Sequence, residues 1–325
     1  MFRKYRYLWK WFVLLIVVVL VALIVFNRDW IKDFWRGLSY KPSTEMAQIR
    51  DKLDLTSQGE FLFNASQPVL NESEDFNEIC RFEKDEENAV LGCYREENIY
   101  VYNIEDAELD GIRELTAAHE LLHAVWARMG ESERMNYADS LSEVLKQNKE
   151  ILEDELGTYD SNEQKEELYV RAGTEIKKLP NDLEKHFATI FKNQDKVVDY
   201  YNKYISVFNN LKAEMEGLMA EMNRLQGVID EKTVFYEQRA NQLNAEIVEF
   251  NNCAEMAGCF TSQWAFYQRR NALIAEQAET ERLYDEINSL IDEYNINVEK
   301  YNQDVISNKK LNQKINSAAK VEDLD

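Results

Sequence analysis

Apolar positions repeat at helical spacing over most of the second half of the chain. From Val197 to Ile229 they recur in alternating steps of four and three, and the alternation returns at 236–250 and 284–305. This is the heptad pattern of a coiled coil. No proline follows Pro180 to interrupt such helices. We predict a long antiparallel helical (coiled-coil) hairpin over residues 196–320. A parallel coil between chains is the alternative, and self-association through the coiled coil is a possible partner interaction.

The first half of the chain mixes helical and strand patterns. A short helix is predicted from Ser43 to Leu53. Aromatic and β-branched residues predict strands over Glu78–Phe82 and Val90–Ile104. Three further stretches have the apolar spacing of helices: 111–130, 133–153 and 161–178. The predicted fold class is therefore mainly α with a small β part.

One stretch near the N-terminus is entirely apolar. Residues 11–26 (WFVLLIVVVLVALIVF) have about the length of a bilayer span. We predict a transmembrane anchor over residues 11–30, with a cleaved signal peptide or a buried core helix as the alternatives. Four basic residues and no acidic residue precede the run. The positive-inside rule then makes residues 1–10 a cytoplasmic N-terminus and leaves the bulk of the chain extracytoplasmic, in a single-pass protein of the cell membrane.

Charge and cysteine content narrow the range of partners. The 60 Asp and Glu residues outnumber the 38 Lys and Arg residues, which gives a net charge of −22. Such an acidic surface repels phosphate backbones, so no nucleic-acid partner is expected. The four cysteines fall in two close pairs, Cys80 with Cys93 and Cys253 with Cys259. We predict two disulfides; metal binding by these pairs is the alternative.

Candidate chemistry lies in the run His119-Glu120-Leu121-Leu122-His123. Two histidines four residues apart project from one face of a helix, so both imidazoles can bind one Zn²⁺. Glu120 between them is placed to take a proton from a water molecule that the metal activates. The sequence therefore predicts a zinc site with His119 and His123 as ligands and Glu120 as the catalytic residue.

The segment Thr116–Val125, in which the residues before and after the motif are uncharged, resembles the zincin metallopeptidases, and within them it is most similar to the gluzincins. That resemblance implies a third metal ligand, a Glu on a later helix. Glu167 is the preferred candidate and Glu175 the alternate. It also implies an α+β zincin-like metallopeptidase domain over residues 40–195. Arg171 departs from the pattern, because many gluzincins have an acid at that place.

A second resemblance is to uncharacterised bacterial membrane-anchored proteins with a predicted peptidase domain. It is carried by Cys93, the strand Ile99–Ile104 and the HExxH helix. Within the zincin resemblance, the strand from Asn98 to Ile104 corresponds to the edge strand that pairs with an extended substrate; an ordinary amphipathic strand is the alternative.

The zincin resemblance implies a zinc-dependent endopeptidase that hydrolyses peptide bonds in a protein or peptide substrate, with Glu120 as general base. Four side chains are candidate transition-state donors: Tyr169, Arg171, His186 and Tyr201. The alternative function is a non-catalytic membrane-anchored coiled-coil scaffold whose zincin-like domain is structural.

Overall fold

The structure is a computed structural model of the chain. It describes residues 12, 14–19, 21, 22, 25, 27–80, 90–156 and 163–317. The chain divides into two compact units. We call residues 1–207 with 311–325 the mixed unit, and residues 208–310 the hairpin unit.

The described residues form mostly helices, together with one small sheet. The helices are α1 (Arg28–Ser39), α2 (Thr44–Leu53), α3 (Ser57–Ala65), α4 (Ser73–Ile79), α5 (Ile112–Arg128), α6 (Glu131–Asn136), α7 (Ala138–Gln147), α8 (Lys149–Leu156), α9 (Glu163–Glu175), α10 (Asn181–Phe187), α11 (Gln194–Glu255) and α12 (Gln263–Ile315). The strands are β1 (Val69–Asn71), β2 (Gly92–Arg95) and β3 (Asn98–Tyr102). The prediction of a mainly helical fold with a small β part is confirmed.

Side-chain caps fix the starts of the first helices of the mixed unit. The Ser43 hydroxyl accepts a hydrogen bond from the backbone N–H of Met46 at 3.1 Å, and Thr56 caps Gly59 in the same way at 3.0 Å. Such caps satisfy N–H groups that have no partner within the helix. The predicted helix from Ser43 to Leu53 is therefore confirmed as α2, with Ser43 as its cap.

The sheet has the strand order β1-β3-β2, with β1 parallel and β2 antiparallel to β3. The single strand predicted over Val90–Ile104 is wrong, because the chain reverses at Glu96 and Glu97. Both residues have positive φ angles, 50° and 66°, which a two-residue turn between antiparallel strands requires. Within the described sheet β3 is the central strand, so the expectation that Asn98–Ile104 forms an edge strand is also wrong.

The strand predicted over Glu78–Phe82 is wrong as well. Helix α4 continues to Ile79 and ends at Cys80, and residues 81 and 82 lie outside the described residues. The cystine between Cys80 and Cys93 is present, with the Cα atoms 5.9 Å apart, and it joins the end of α4 to β2. This predicted disulfide is confirmed.

Helix α5 forms the centre of the mixed unit. Ala117, Ala118, Leu121 and Leu122 are fully buried, and α2, α3, α9 and the strands β2 and β3 pack around the helix. Helix α9 approaches closely because it has a glycine at the contact. A Cβ on Gly173 would lie 2.4 Å from Leu122 Cδ1 and 2.7 Å from the Phe187 ring. The absence of that atom lets two helices with chemically important side chains come together.

The hairpin unit contains the middle parts of α11 and α12, which run antiparallel. Lys232 pairs with Glu286 at 2.8 Å, and Glu246 pairs with Arg269 at 3.0 Å, so residue numbers rise along one arm as they fall along the other. The turn between the arms is closed by the second predicted disulfide, Cys253–Cys259, which is confirmed. Phe250, Phe260 and Phe266 form an aromatic cluster beside it.

The predicted transmembrane anchor over residues 11–30 is wrong. In the part of the chain that the structure describes, no helix combines the length and the apolarity that crossing a bilayer requires. Helix α1 then begins at Arg28 with a charged first turn.

The predictions that depended on this anchor are corrected with it: a membrane partner, a single-pass topology and an extracytoplasmic location for the bulk of the chain. The predicted cytoplasmic segment 1–10 lies outside the described residues, as do residues 11, 13, 20, 23, 24 and 26 of the predicted span.

Candidate metal centre

Helices α5 and α9 bring two imidazoles and a carboxylate to one point. The Nε2 atoms of His119 and His123 are 3.3 Å apart, because residues one helical turn apart share a face. Glu167 approaches from α9, with Oε1 at 3.7 Å from His119 Nε2 and Oε2 at 3.5 Å from His123 Nε2. The three side chains therefore each direct a ligating atom to a common centre.

This group could hold a metal ion. Its ligating atoms all lie within 4.8 Å of one another, and the donor set of two imidazoles and one carboxylate is typical of transition-metal sites. Glu167 is buried, while His119 and His123 keep 25% and 19% of their side-chain surfaces exposed. An ion bound between them would therefore be reached from the imidazole side.

Two charged neighbours on α9 hold the ligand set in place. Glu166 Oε1 lies 2.8 Å from His123 Nδ1, so the imidazole donates its Nδ1–H outward and directs the Nε2 lone pair to the centre. On the other side, Arg171 Nε donates to Glu167 Oε1 at 2.7 Å, and Arg171 Nη1 lies 3.4 Å from Glu175 Oε1. Two residues of α9 therefore fix these orientations. Glu166 orients His123 on α5, and Arg171 orients Glu167 on α9 itself.

The electrostatics of the group favour a cation at its centre. Burial opposes a charge on His123, but hydrogen bonds to Glu166 and Glu167 outweigh it and raise its pKa to about 10. Burial would raise the pKa of Glu167, yet the charges of His119, His123 and Arg171 hold it well below the usual range. Burial lowers the pKa of His119. Glu166 and Glu167 therefore favour positive charge at this group.

Glu120 lies beside the ligand group and is covered by strand β2. It is only 5% exposed, and burial raises the pKa of its carboxyl to about 7. The backbone N–H of Tyr94 acts in the opposite direction and lowers this pKa. A Cβ on Gly92 would lie 2.8 Å from Glu120 Oε1, so only glycine lets the strand come this close. The carboxyl group is therefore desolvated by the strand.

The other predicted site residues lie elsewhere. Glu175, the alternate ligand, is two helical turns beyond Glu167 and pairs with Arg171. Tyr169 is fully buried, and its hydroxyl bonds to His186 Nε2 at 2.8 Å, while Tyr137 bonds to His186 Nδ1 at 3.1 Å. Tyr201 packs against the hydrophobic core. Of the four predicted donors, Arg171 is the one that contacts the ligand group.

Glu166 contacts the candidate ligand His123 and is not among the residues predicted from the sequence. An acid next to Glu167 on a helix is a signal for it, because such an acid lies within reach of a neighbouring imidazole. The zincin resemblance implies the acid at Arg171 instead, four residues after Glu167. The structure supplies the same kind of carboxylate from one residue before the ligand.

These features define a class of protein on physical grounds, a mainly helical chain in which an HExxH helix and a later helix assemble a His₂Glu ligand set. No protein-family model matches the chain, and no curated protein and no solved structure matches it either. The resemblance to the zincin metallopeptidases therefore depends on the motif and on the geometry of the group.

Proposed function

We propose that this protein is a zinc-dependent peptidase that hydrolyses peptide bonds at the His119, His123 and Glu167 group. The single observation that carries the proposal is the convergence of the three ligating atoms next to a buried glutamate in an HExxH helix. The proposal concerns the mixed unit, which contains every residue involved.

The chemistry of the donor set favours zinc over harder divalent ions. Two imidazole nitrogens, whose Nε2 atoms lie 3.3 Å apart, and one carboxylate are a usual set of zinc ligands. Mg²⁺ and Ca²⁺ instead prefer oxygen ligands.

When bound, zinc supplies a Lewis acid that lowers the pKa of water to about 7 and polarises a carbonyl oxygen. The chain supplies the proton transfers. Glu120 accepts a proton from the attacking water and returns it to the leaving amine. Glu166 keeps the Nε2 atom of His123 directed to the centre, and strand β2 shields the base from solvent.

The experiment uses the full chain and three variants. We expect the wild-type protein to hold one zinc ion and to cleave members of a peptide library. Glu120→Gln should keep zinc and lose cleavage, because the amide cannot accept the proton. His123→Ala should lose both. Glu131→Gln, the same change at an exposed position on α6, is the matched control and should keep both. Zinc in the wild type and in Glu120→Gln with cleavage by neither would contradict the peptidase proposal.

One observation favours the alternative, a scaffold with a structural metal site. Glu120 is only 5% exposed, and its carboxylate packs against Gly92 of β2. A carboxylate buried against a strand in this way suits a structural role as well as that of a base. The two functions are separated by the result for the wild type, since a structural site binds zinc and cleaves nothing.

A further inference from the structure

Both carboxylate oxygens of Glu167 face the imidazole ligands. Oε1 is 3.7 Å from His119 Nε2, and Oε2 is 3.5 Å from His123 Nε2. A single ion among these atoms is within reach of either oxygen. A carboxylate in this position can therefore bind with one oxygen or with two.

The number of oxygens that bind decides what kind of site this is. Two imidazoles and one carboxylate oxygen leave a fourth position open, as catalytic zinc sites require. If both oxygens bound, the protein would fill that position, and a water molecule or a substrate could bind only as a fifth ligand.

Arg171 engages Oε1 of Glu167. Its Nε donates to that oxygen at 2.7 Å. The guanidinium is 14% exposed and carries its charge at every accessible pH. Its Nη1 lies 3.4 Å from Glu175 on the next turn, so the same planar group is held from both sides along one face of α9. Glu175 is 7% exposed and is thus a buried anchor for the arginine.

We propose that Arg171 is a positioning residue that reserves Oε1 of Glu167 and so makes Glu167 a one-oxygen ligand through Oε2. Glu175, which the sequence offers as a second possible ligand, serves instead to hold Arg171. This inference rests on the proposed metal site and adds a residue that keeps the site open.

The proposal predicts an effect opposite to that of a purely structural residue. Removing Arg171 frees Oε1 for the metal and removes a positive charge that repels the cation, so Arg171→Met should bind zinc more tightly, by about tenfold. A residue that only supported the fold would weaken zinc binding when it was removed. The tighter site should also be the less active one, because its open position is filled.

The test replaces zinc with Co²⁺ alone and compares visible spectra of the full chain, since Co²⁺ absorbs strongly in four-coordinate sites and weakly in five-coordinate ones. We expect an intense spectrum for the wild type and a weak one for Arg171→Met. Arg171→Lys, which still donates to Oε1, should restore most of the intensity. Glu175→Gln weakens the hold on Arg171 from outside the ligand set and should shift the spectrum in the same direction as Arg171→Met. Glu175→Gln therefore provides a second test if Arg171→Met does not fold.

Identical spectra for the wild type, Arg171→Met and Glu175→Gln would overturn the inference while leaving the metal site intact. Weaker zinc binding by both variants would also overturn it, because that result marks a structural role. A wild-type protein that binds neither Co²⁺ nor zinc would refute the metal site itself, and the inference with it. Glu143→Gln, an exposed change on α7, is the charge-matched control.

Discussion

Replacing Gly173 by alanine tests whether the close approach of α9 to α5 creates the metal site. In an exposed helix this change is stabilising, because glycine is about 1 kcal/mol less favourable than alanine. At Gly173 a Cβ would lie 2.4 Å from Leu122 Cδ1 and 2.7 Å from the Phe187 ring. Ordinary carbon contacts are about 3.5–4.0 Å, so the helices must separate by about 1 Å.

The two effects differ in size. Leu122 and Phe187 are fully buried, and buried side chains in a dense core give way only at a cost. Overpacking of this kind costs about 1–3 kcal/mol, against a gain in helix propensity of about 1 kcal/mol. The difference is about 0–2 kcal/mol, so we expect Gly173→Ala to lower the free energy of unfolding by about 1 kcal/mol, the middle of that range. Because α9 also carries Glu167, we expect zinc affinity to fall by about tenfold or more.

Two measurements check this prediction, the free energy of unfolding from urea denaturation and the zinc dissociation constant from competition with a chromogenic chelator. Gly217→Ala is the matched control, because Gly217 is also helical and its Cβ would meet nothing within 4 Å. The control should be stabilised by about 0.5–1 kcal/mol and keep its zinc affinity. If Gly173→Ala behaved like the control in both measurements, the proposed role of helix spacing would be refuted.

Three further predictions follow from the structure. Replacing Cys80 and Cys93 by serine opens a cross-link between residues 13 apart and should lower the free energy of unfolding by about 3 kcal/mol in a denaturation experiment, with the reduced wild type showing the same loss. Glu167→Ala should abolish zinc binding in equilibrium dialysis, whereas Glu175→Ala should leave a bound ion; the reverse result would exchange their roles. Burial lowers the pKa of His186 to about 4, below its unfolded value of about 6.5. The contribution of neutral His186 to the free energy of unfolding is therefore fully present above about pH 6.5 and is lost as the pH falls towards about 4. The loss should be about 1–2 kcal/mol after allowance for partial exposure, and His186→Gln should remove this part of the pH dependence.

Two of the three candidate ligands are predictable from local spacing, because His119 and His123 share a face by helical periodicity alone. The third, an acid on a later helix, is expected only from the zincin resemblance. The contacts among charged side chains are harder to predict from the sequence. The Glu166–His123 contact and the Arg171–Glu175 pairing depend on the rotation of α9 about its axis, which Gly173 sets by packing rather than by any short motif.

The β-hairpin and the apolar N-terminal run show two different limits. The turn at Glu96 and Glu97 has two positive φ angles without the Asn or Gly that usually announces them, so one long strand was the natural prediction from the pattern. The run 11–26 has the apolar composition of a transmembrane span, but no helix in the described part of the chain is long and apolar enough to cross a bilayer.

The route of the chain through its two units has a consequence for folding. The mixed unit is completed by the residues after the hairpin, where Ser317 hydrogen-bonds to Asn77 and Lys314 pairs with Asp106. During synthesis the ribosome must therefore release the whole hairpin before that last piece can dock. The entropic cost of closing so long a loop grows only slowly with its length. An inserted segment that has already folded makes the loop effectively shorter. If the two arms fold first, they would thus bring the ends of the loop together and speed the final docking step.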